Sequence, residues 1–303
     1  MDTFSLFIEK GFNSLKKNGS LNYIVPLSIT CSESMVALHT ILFKNCNKIQ
    51  ISNYAKRPKQ IFSSACTANS IFFCVKSEKS CENIFATKLN RLNKNAKLSE
   101  LIDNLEFVNT KRHYLFGRIP KISSKIEVKI LDELFSKENK PISAFFNENG
   151  KSIYYRKAGG RYYNVIANFS TTEGQSEGIM NFEKSMANAI GAILSSNLFW
   201  WFQQVYTDCF NLKMSDINYF TIPKIEKEKI SKIENLYNDY LIDIQKNKTN
   251  QYNLRKSKHI IDQIDDLICP LYGLTPEETD FIKNYEIEFR LSDGEEVNTI
   301  ERN

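Results

Sequence analysis

The sequence contains few of the residues and motifs on which common enzyme sites depend. It has only three histidines, no Cys-x-x-Cys pair among its seven cysteines, no Gly-x-Gly motif and no two consecutive prolines. Histidine and cysteine at ligand spacing form most zinc sites, and glycine-rich turns bind the phosphates of nucleotide cofactors. The sequence therefore predicts no metal ion and no cofactor bound by this chain alone.

Long hydrophobic runs and targeting signals are also missing. The longest apolar stretch, residues 187–202, contains Ser195, Ser196 and Asn197 near its middle, and it is shorter than the roughly 20 apolar residues that span a bilayer. The N-terminus lacks the basic residues and apolar segment of a signal peptide. Scattered cysteines in apolar segments suit reduced thiols of a protein core. We therefore expect a cytoplasmic protein with no membrane partner.

Charge is distributed unevenly along the chain. Residues 231–303 carry 9 basic and 15 acidic side chains, whereas the first 230 residues carry 31 basic and 20 acidic ones. A positive excess in one part of a chain is expected where that part faces a polyanion such as DNA. A solvated, lysine-rich surface explains the same excess, so charge alone does not decide between the two interpretations.

Periodic apolar residues predict alternating helices and strands near the N-terminus. Helices are predicted over residues 4–15 and 34–44, and strands over residues 21–25, 48–52 and 69–75. This alternation is half of an α/β domain, because a doubly wound sheet begins with a strand, a glycine-rich turn and a helix that are absent here. Such a half sheet would leave one edge and one face of its first strand without a neighbour. We therefore expect either a partner polypeptide or poor independent stability.

The remaining residues are predicted to form an α+β unit followed by helices. Polar and basic residues 82–100 are interpreted as a linker or a loosely packed helix, and short strands are expected at residues 126–130 and 152–155. Helices are predicted over residues 183–206, 230–244 and 254–269, and a third C-terminal helix is expected to begin at Pro276. The fold class is therefore α/β plus α+β.

Several segments, in order, resemble amino-methylating DNA adenine methyltransferases of type IIG restriction-modification systems. Residues 6–29 are similar to the helix and inner strand that follow the family's catalytic Asn-Pro-Pro-Tyr motif, and residues 48–76 to the last strands of its methylase sheet. The family's target-recognition domain and terminal helices are matched by YYRKAGGRYYNV, SSNLFWWFQQVY, LKMSDINYFTIP and IDDLICPLYGLTPEE.

The resemblance implies a division of the chain into three segments. Residues 1–97 would form the second half of a Rossmann-like methyltransferase sheet, residues 98–228 an α+β target-recognition domain, and residues 229–303 a C-terminal helical segment. It also implies the DNA-recognition half of a site-specific DNA adenine-N6 methyltransferase, which transfers a methyl group from S-adenosylmethionine to adenine in double-stranded DNA.

Two family motifs are absent, which limits what this chain can do. Neither the glycine-rich cofactor turn nor Asn-Pro-Pro-Tyr occurs, so we expect no catalytic residue and no activity in this chain alone. S-adenosylmethionine would be bound only after a separate polypeptide supplies the N-terminal methyltransferase half. The alternative is a non-catalytic DNA-binding specificity subunit or the remnant of a disrupted restriction-modification gene. A nuclease is disfavoured, because no acidic cluster able to hold magnesium is evident.

Candidate DNA-binding residues combine basic and aromatic side chains with the family's landmarks. They are Lys56, Arg57, Lys59, Tyr155, Arg156, Lys157, Arg161, Tyr162, Tyr163 and Lys213. For residues 154–163 the alternative is a β-hairpin whose aromatic side chains pack inward and whose cations are merely solvated. Near Lys213 the alternative is a helix capped by Ser215 or Asp216.

A base-stacking residue and several core residues complete the expectations. In the related enzymes an aromatic residue stacks on the flipped adenine, and the matching strand here offers Phe72 and Phe73 on opposite faces. We assign this role to Phe73, with two core phenylalanines as the alternative. The remaining assignments are a buried helix face with Phe199, Trp200, Trp201 and Phe202, and solvated charges at Glu9, Glu33, Asp265 and Asp266.

Overall fold

The computed structural model describes residues 2–62, 64–93, 95–158, 164–171, 176–248 and 252–291. The strands are β1 (Ser20–Pro26), β2 (Cys46–Tyr54), β3 (Asn69–Lys76), β4 (Ile84–Asn90), β5 (Val108–Asn109), β6 (Lys140–Pro141), β7 (Phe146–Arg156), β8 (Ile166–Ala167), β9 (Glu177–Phe182) and β10 (Thr221–Ile222). The α-helices are α1 (Thr3–Ser14), α2 (Ser28–Cys31), α3 (Val36–Asn45), α4 (Leu98–Asp103), α5 (Lys125–Leu134), α6 (Ala187–Ser195), α7 (Asn197–Tyr206), α8 (Met214–Ile217), α9 (Lys227–Lys246), α10 (Lys258–Ile268), α11 (Pro276–Asn284) and α12 (Ile287–Leu291).

The chain forms two compact units whose limits differ from the predicted segments 1–97, 98–228 and 229–303. The first unit comprises Met1–Ile142 and Phe202–Thr221, and the second comprises Ser143–Trp201 and Ile222–Asn303. The difference arises because the chain returns to the first unit after residue 201. There the Tyr206 hydroxyl donates to the carbonyl oxygen of His113 at 2.9 Å. The ammonium of Lys121, which is only 1% exposed, donates to the carbonyls of Val205 and Thr207.

The first unit is built on a mixed sheet, which within the described residues has five strands in the order β1-β3-β2-β4-β5. β3 pairs antiparallel with both β1 and β2, and β4 pairs parallel with β2. β1, β2 and β4 therefore run in the same direction, and their carboxyl ends meet at one edge of the sheet. The predicted helices and strands of the first 80 residues are confirmed as α1, β1, α3, β2 and β3.

The two faces of this sheet differ. Ile8 of α1 and Leu42 of α3 pack with Ile51 and Phe72 in one buried core, so both helices cover the same face. The opposite face carries Ile24, which is 52% exposed. A doubly wound sheet has helices on both faces, so the described part of this unit is α/β on one side only.

The segment interpreted as a linker contains a central strand instead. β4 lies between β2 and β5, and Ile84, Ala86, Thr87 and Leu89 are buried. The prediction was wrong because Lys88 and the basic residues after β4 gave the segment a polar average. The strand's side chains nevertheless pack on both faces of the sheet.

Residues 126–130, predicted as a strand, lie in helix α5. The sequence Ile-Glu-Val-Lys-Ile alternates with period two, but it also places apolar residues four apart, as a helix requires. A capping box decides the outcome: the Glu127 carboxylate accepts hydrogen bonds from the N–H groups of Ser123 and Ser124 at 2.8 and 3.0 Å.

A second unit holds a sheet in the order β8-β7-β9, together with helices α6, α9 and α10. Gly178 of β9 is required by a close approach, because a Cβ atom there would lie 2.2 Å from the ring of Tyr155. The predicted C-terminal helices are confirmed as α9, α10 and α11, and Thr275 and Glu278 cap α11 reciprocally.

The helix predicted over residues 183–206 is divided into α6 and α7. The buried carboxylate of Asp265 accepts the backbone N–H groups of Asn197 and Leu198, each at 3.1 Å, and so begins a second helix at that point. Asp265 is 0% exposed, which corrects its assignment as a solvated charge. Trp200 and Trp201 are 1% and 0% exposed, which confirms their assignment to the core.

His39 of α3 is the most buried histidine of the first unit. Its Nε2 donates to the carbonyl oxygen of Ile29 at 2.8 Å, and its Nδ1 lies 3.2 Å from the hydroxyl of Tyr114. Burial, which removes the solvation of the charged ring, lowers the pKa of His39 from 6.5 to about 4. The imidazole is therefore neutral in the folded protein at neutral pH.

We predict that His39 makes the unfolding free energy fall as the medium is acidified. In the unfolded chain the His39 side chain binds a proton below pH 6.5, whereas in the folded chain it does so only near pH 4. The stabilising contribution of the neutral imidazole is therefore fully present above pH 6.5 and is lost as the pH falls toward 4. Between pH 7.5 and 5.0 this loss amounts to about 2 kcal/mol, and His39→Gln should abolish it. Urea unfolding at both pH values measures the effect. The matched control is His259→Gln, at an exposed histidine; unchanged pH dependence in the His39 variant would contradict the assignment.

Candidate nucleic-acid interface

The carboxyl ends of β1, β2 and β4 form the floor of the candidate site. Leu27, Ala55 and Leu89, at or directly after these strand ends, make a small buried cluster against which Ala68 and Cys209 also pack. Ligands of open α/β sheets bind outside the carboxyl ends of the strands. Loops that reach this edge are therefore the first place to look for functional side chains.

Buried polar side chains hold these strand ends in place. Asn53 accepts a hydrogen bond from the Ser70 hydroxyl at 2.9 Å and donates its amide to the carbonyl oxygen of Thr87 at 2.8 Å. Asn90 donates in turn to the carbonyl oxygen of Asn53 at 3.0 Å. The pairing of β2 with β4 shifts register just before Asn53, as in a β-bulge. The strand ends are therefore rigid supports for the loops that follow them.

The predicted basic loop after β2 lies at this edge. The backbone N–H of Lys59 donates to the carbonyl oxygen of Leu92 at 3.1 Å, and its ammonium donates to that of Ala96 at 3.1 Å. Arg57 and Lys59 are exposed, and Lys56 is half-buried. The structure therefore brings these three predicted residues together on one ordered loop.

A second segment, residues 207–213, meets the basic loop, and the sequence analysis predicted only Lys213 within it. Lys56 Nζ lies 4.3 Å from the ring centroid of Phe210, which is 43% exposed. Lys213, the predicted phosphate contact, follows three residues later and is exposed. The backbone N–H of Lys213 donates to Asp216 Oδ2 at 3.1 Å, which agrees with the predicted capping role of Asp216.

An almost fully buried guanidinium lies behind this second segment. Arg118 is 3% exposed and donates to Asp216 Oδ1 at 2.8 Å and to Glu33 Oε1 at 3.1 Å. The Glu33 side chain is 43% exposed, so its carboxylate is a solvated charge, as predicted, that also pairs with Arg118. This ion pair fixes the start of α8, and with it the position of Lys213, against the first unit.

Phe73, the predicted base-stacking residue, lies away from the strand ends. It occupies the middle of β3, opposite Asn22 and Gln50, on the face that α1 and α3 leave open. A groove of about 330 Å³ surrounds its half-buried ring, and Lys48 Nζ lies 5.7 Å from the ring centroid. Phe72 points into the core at 1% exposure, so the predicted opposite orientation of the two rings is confirmed.

The other predicted contacts lie in the second unit. Tyr155 is 3% exposed and packs on Gly178, which favours the inward-packing hairpin for this residue over a contact with DNA. Arg156 is half-buried, and Lys157 is exposed. Arg161, Tyr162 and Tyr163 lie outside the described residues.

Among the described residues, no three histidine, cysteine or acidic side chains are grouped closely enough to hold a metal ion. The helices in the described ranges include none that is long and apolar enough to cross a membrane.

Solved structures that match the chain include those of restriction-modification enzymes. No protein-family model and no curated protein matches the sequence. The type IIL restriction-modification enzyme MmeI, in complex with DNA, matches with a TM-score of 0.53 and 10% identity over 95% of this chain and 52% of MmeI. The chain is thus similar in its mixed α/β fold to MmeI and spans about half of that enzyme's length.

Two type ISP restriction-modification enzymes match more weakly. LlaBIII bound to DNA has a TM-score of 0.31 and 12% identity over 54% of this chain and 12% of its own. A nuclease-deletion mutant of LlaGI, in complex with a DNA substrate mimic, has a TM-score of 0.33 and 17% identity over 54% of this chain and 14% of its own. These scores are too low to add to the comparison with MmeI.

We predict that Arg118 is essential for the stability of the first unit. Arg118→Ala would leave the carboxylate of Asp216, 6% exposed, buried without its partner, and should lower the unfolding free energy by about 3 kcal/mol or more. Arg112→Ala is the matched control. Its ion pair with Asp132 joins side chains that are 60% and 41% exposed, so the loss should stay below about 1 kcal/mol. Equal losses in urea unfolding would contradict this difference.

Proposed function

We propose that this chain is the DNA-recognition half of a site-specific DNA adenine-N6 methyltransferase of a restriction-modification system. The sheet of the first unit carries the proposal. Its mixed sheet, in which antiparallel β3 lies between the parallel strands β1 and β2, supports the proposal, because the resemblance assigns these residues to the inner and last strands of a methylase sheet. The fold similarity to MmeI over nearly the whole chain supports it.

The missing chemistry would come from residues outside these 303. S-adenosylmethionine supplies the methyl group in such enzymes, and neither a glycine-rich turn nor Asn-Pro-Pro-Tyr is present to bind it or to hold the adenine amino group. We therefore assign no step of methyl transfer to side chains of this chain. A separate polypeptide carrying both motifs is the proposed partner.

The edge of β1 is where this partner would join the sheet. In the described part of the chain β1 pairs on one side only, with β3. Ile24 of β1 and Leu6 and Phe7 of the adjoining α1 are 52%, 51% and 61% exposed. Free backbone groups beside exposed apolar side chains favour the addition of another strand.

Within this proposal, the edge formed by the carboxyl ends of the strands faces DNA. Lys56, Arg57, Lys59 and Lys213 would contact phosphates. In the second unit, Arg156 and Lys157 would make phosphate contacts of their own. Stacking of the flipped adenine on Phe73 stays a prediction from the resemblance. Basic side chains on ordered loops position a protein on the duplex, because phosphate contacts fix register without reading sequence.

A non-catalytic DNA-binding specificity subunit is the second candidate. The absence of both methyltransferase motifs favours it, and it requires the same DNA-binding surface. Cofactor dependence separates the two candidates, because only the methyltransferase half would become active when a partner binds S-adenosylmethionine.

We predict that the basic loop makes DNA binding sensitive to salt. Replacing Lys56, Arg57 and Lys59 by Gln should reduce the slope of log affinity against log salt by roughly two to three, since each phosphate contact releases about one counterion. Fluorescence anisotropy with duplex DNA over a range of salt concentrations measures the slope.

The matched control removes the same charge at the opposite edge of the sheet. Lys16, Lys44 and Lys79 are exposed and lie near the amino ends of β1 and β2 and the carboxyl end of β3. Their replacement by Gln should leave the slope nearly unchanged. An equal change in both triple variants would refute a specific interface, and absence of DNA binding by the native chain would refute the proposed function.

A further inference from the structure

Phe210 lies exposed at the edge where the strands of the first unit end. The preceding residue, Cys209, packs against the cluster of Leu27, Ala55 and Leu89 at the carboxyl ends of β1, β2 and β4. Phe210 itself is turned outward and is 43% exposed. Its position therefore coincides with the ligand-binding edge of an open α/β sheet.

The turn that presents Phe210 is held in place by hydrogen bonds. The Asp208 carboxylate accepts the backbone N–H groups of Phe210 and Asn211 at 2.9 and 2.7 Å. The N–H of Cys209 donates to the hydroxyl of Thr207 at 3.1 Å. Cys209 has a left-handed backbone with φ of 61°, which is unfavourable for a residue other than glycine. An unfavourable backbone conformation that is maintained by several hydrogen bonds is typical of a functional loop.

Phe210 is paired with a cation from the basic loop. Lys56 Nζ lies 4.3 Å from its ring centroid, so a positive charge and an exposed aromatic surface occupy the same place. An aromatic ring stacks on the flat face of any nucleobase, and an adjacent ammonium attracts the phosphate of the same nucleotide. The pair therefore has the chemistry of a nucleotide-binding platform.

We propose that Phe210 and Lys56 bind an unstacked nucleobase of DNA and its phosphate at the carboxyl-end edge of the sheet. The inference rests on the proposed function, because it requires that DNA approach this edge. It assigns base stacking to Phe210, whereas Phe73 lies mid-sheet with a half-buried ring.

Binding to two DNA probes tests this inference. One probe is a short duplex with a single unpaired 2-aminopurine, and the other is the fully paired duplex of the same sequence. The native chain should bind the first probe more tightly and quench its fluorescence. Phe210→Ala should weaken binding of the unpaired probe roughly tenfold while leaving the paired duplex nearly unchanged. Phe210→Trp should restore both affinity and quenching.

Two control variants separate the possible outcomes. Phe116→Ala removes another ring of the first unit, 57% exposed, and should change neither probe. Native affinity and quenching in Phe210→Ala would overturn the inference while leaving the proposed function intact, and loss of quenching in Phe73→Ala instead would assign the base to Phe73. If the native chain binds neither probe, the proposed function and this inference both fail.

Discussion

The backbone of β1 is the constraint on which the rest of this structure depends. Edge strands of natural sheets are blunted by charges, bulges or covering segments, because their free N–H and C=O groups otherwise recruit another strand. β1 has seven residues paired in unbroken register with β3, and none of them is charged. Only Pro26, at its end, lacks a backbone donor. Such an edge suits a sheet that is completed by another polypeptide, which is the partner proposed to supply the missing methyltransferase motifs.

The direction of the strands then decides where function can lie. Because β1, β2 and β4 run the same way, their carboxyl ends and the basic loop after β2 lie at one edge. The 207–213 segment reaches the same edge through Cys209, which packs on the strand ends, and Phe210, which contacts Lys56. Asn53 and Arg118 hold that edge from behind, one through amide hydrogen bonds and the other through ion pairs. The side chains proposed to face DNA are thus presented by rigid supports, as binding geometry requires.

Much of the first unit could be predicted from local pattern, and the failures have physical causes. Helix and strand periods locate α1, β1, α3, β2 and β3 correctly, since one face of each is buried. The Ser124–Glu127 capping box of α5 was present in the sequence but was outweighed by an alternating apolar pattern. The break between α6 and α7 had no local signal, because the carboxylate that causes it belongs to Asp265, 68 residues beyond Asn197.

Only part of the candidate site could be predicted from the sequence, because the rest depends on contacts between residues that are distant along the chain. Lys56, Arg57 and Lys59 form a local basic cluster that composition reveals. Phe210 is an isolated aromatic residue with no basic residue next to it in the sequence. Only the tertiary structure shows that Lys56 contacts its ring. The inward packing of Tyr155 likewise depends on Gly178 of the neighbouring strand.

The most direct test of the account is methyl transfer from labelled S-adenosylmethionine to adenine-containing DNA. The chain is assayed alone and then mixed with the polypeptide encoded immediately upstream, provided that it carries the glycine-rich turn and Asn-Pro-Pro-Tyr. A partner whose Asn-Pro-Pro-Tyr asparagine is replaced by Ala is the control. The account predicts transfer only in the mixture with the intact partner. Transfer by this chain alone, or none in that mixture, would contradict it.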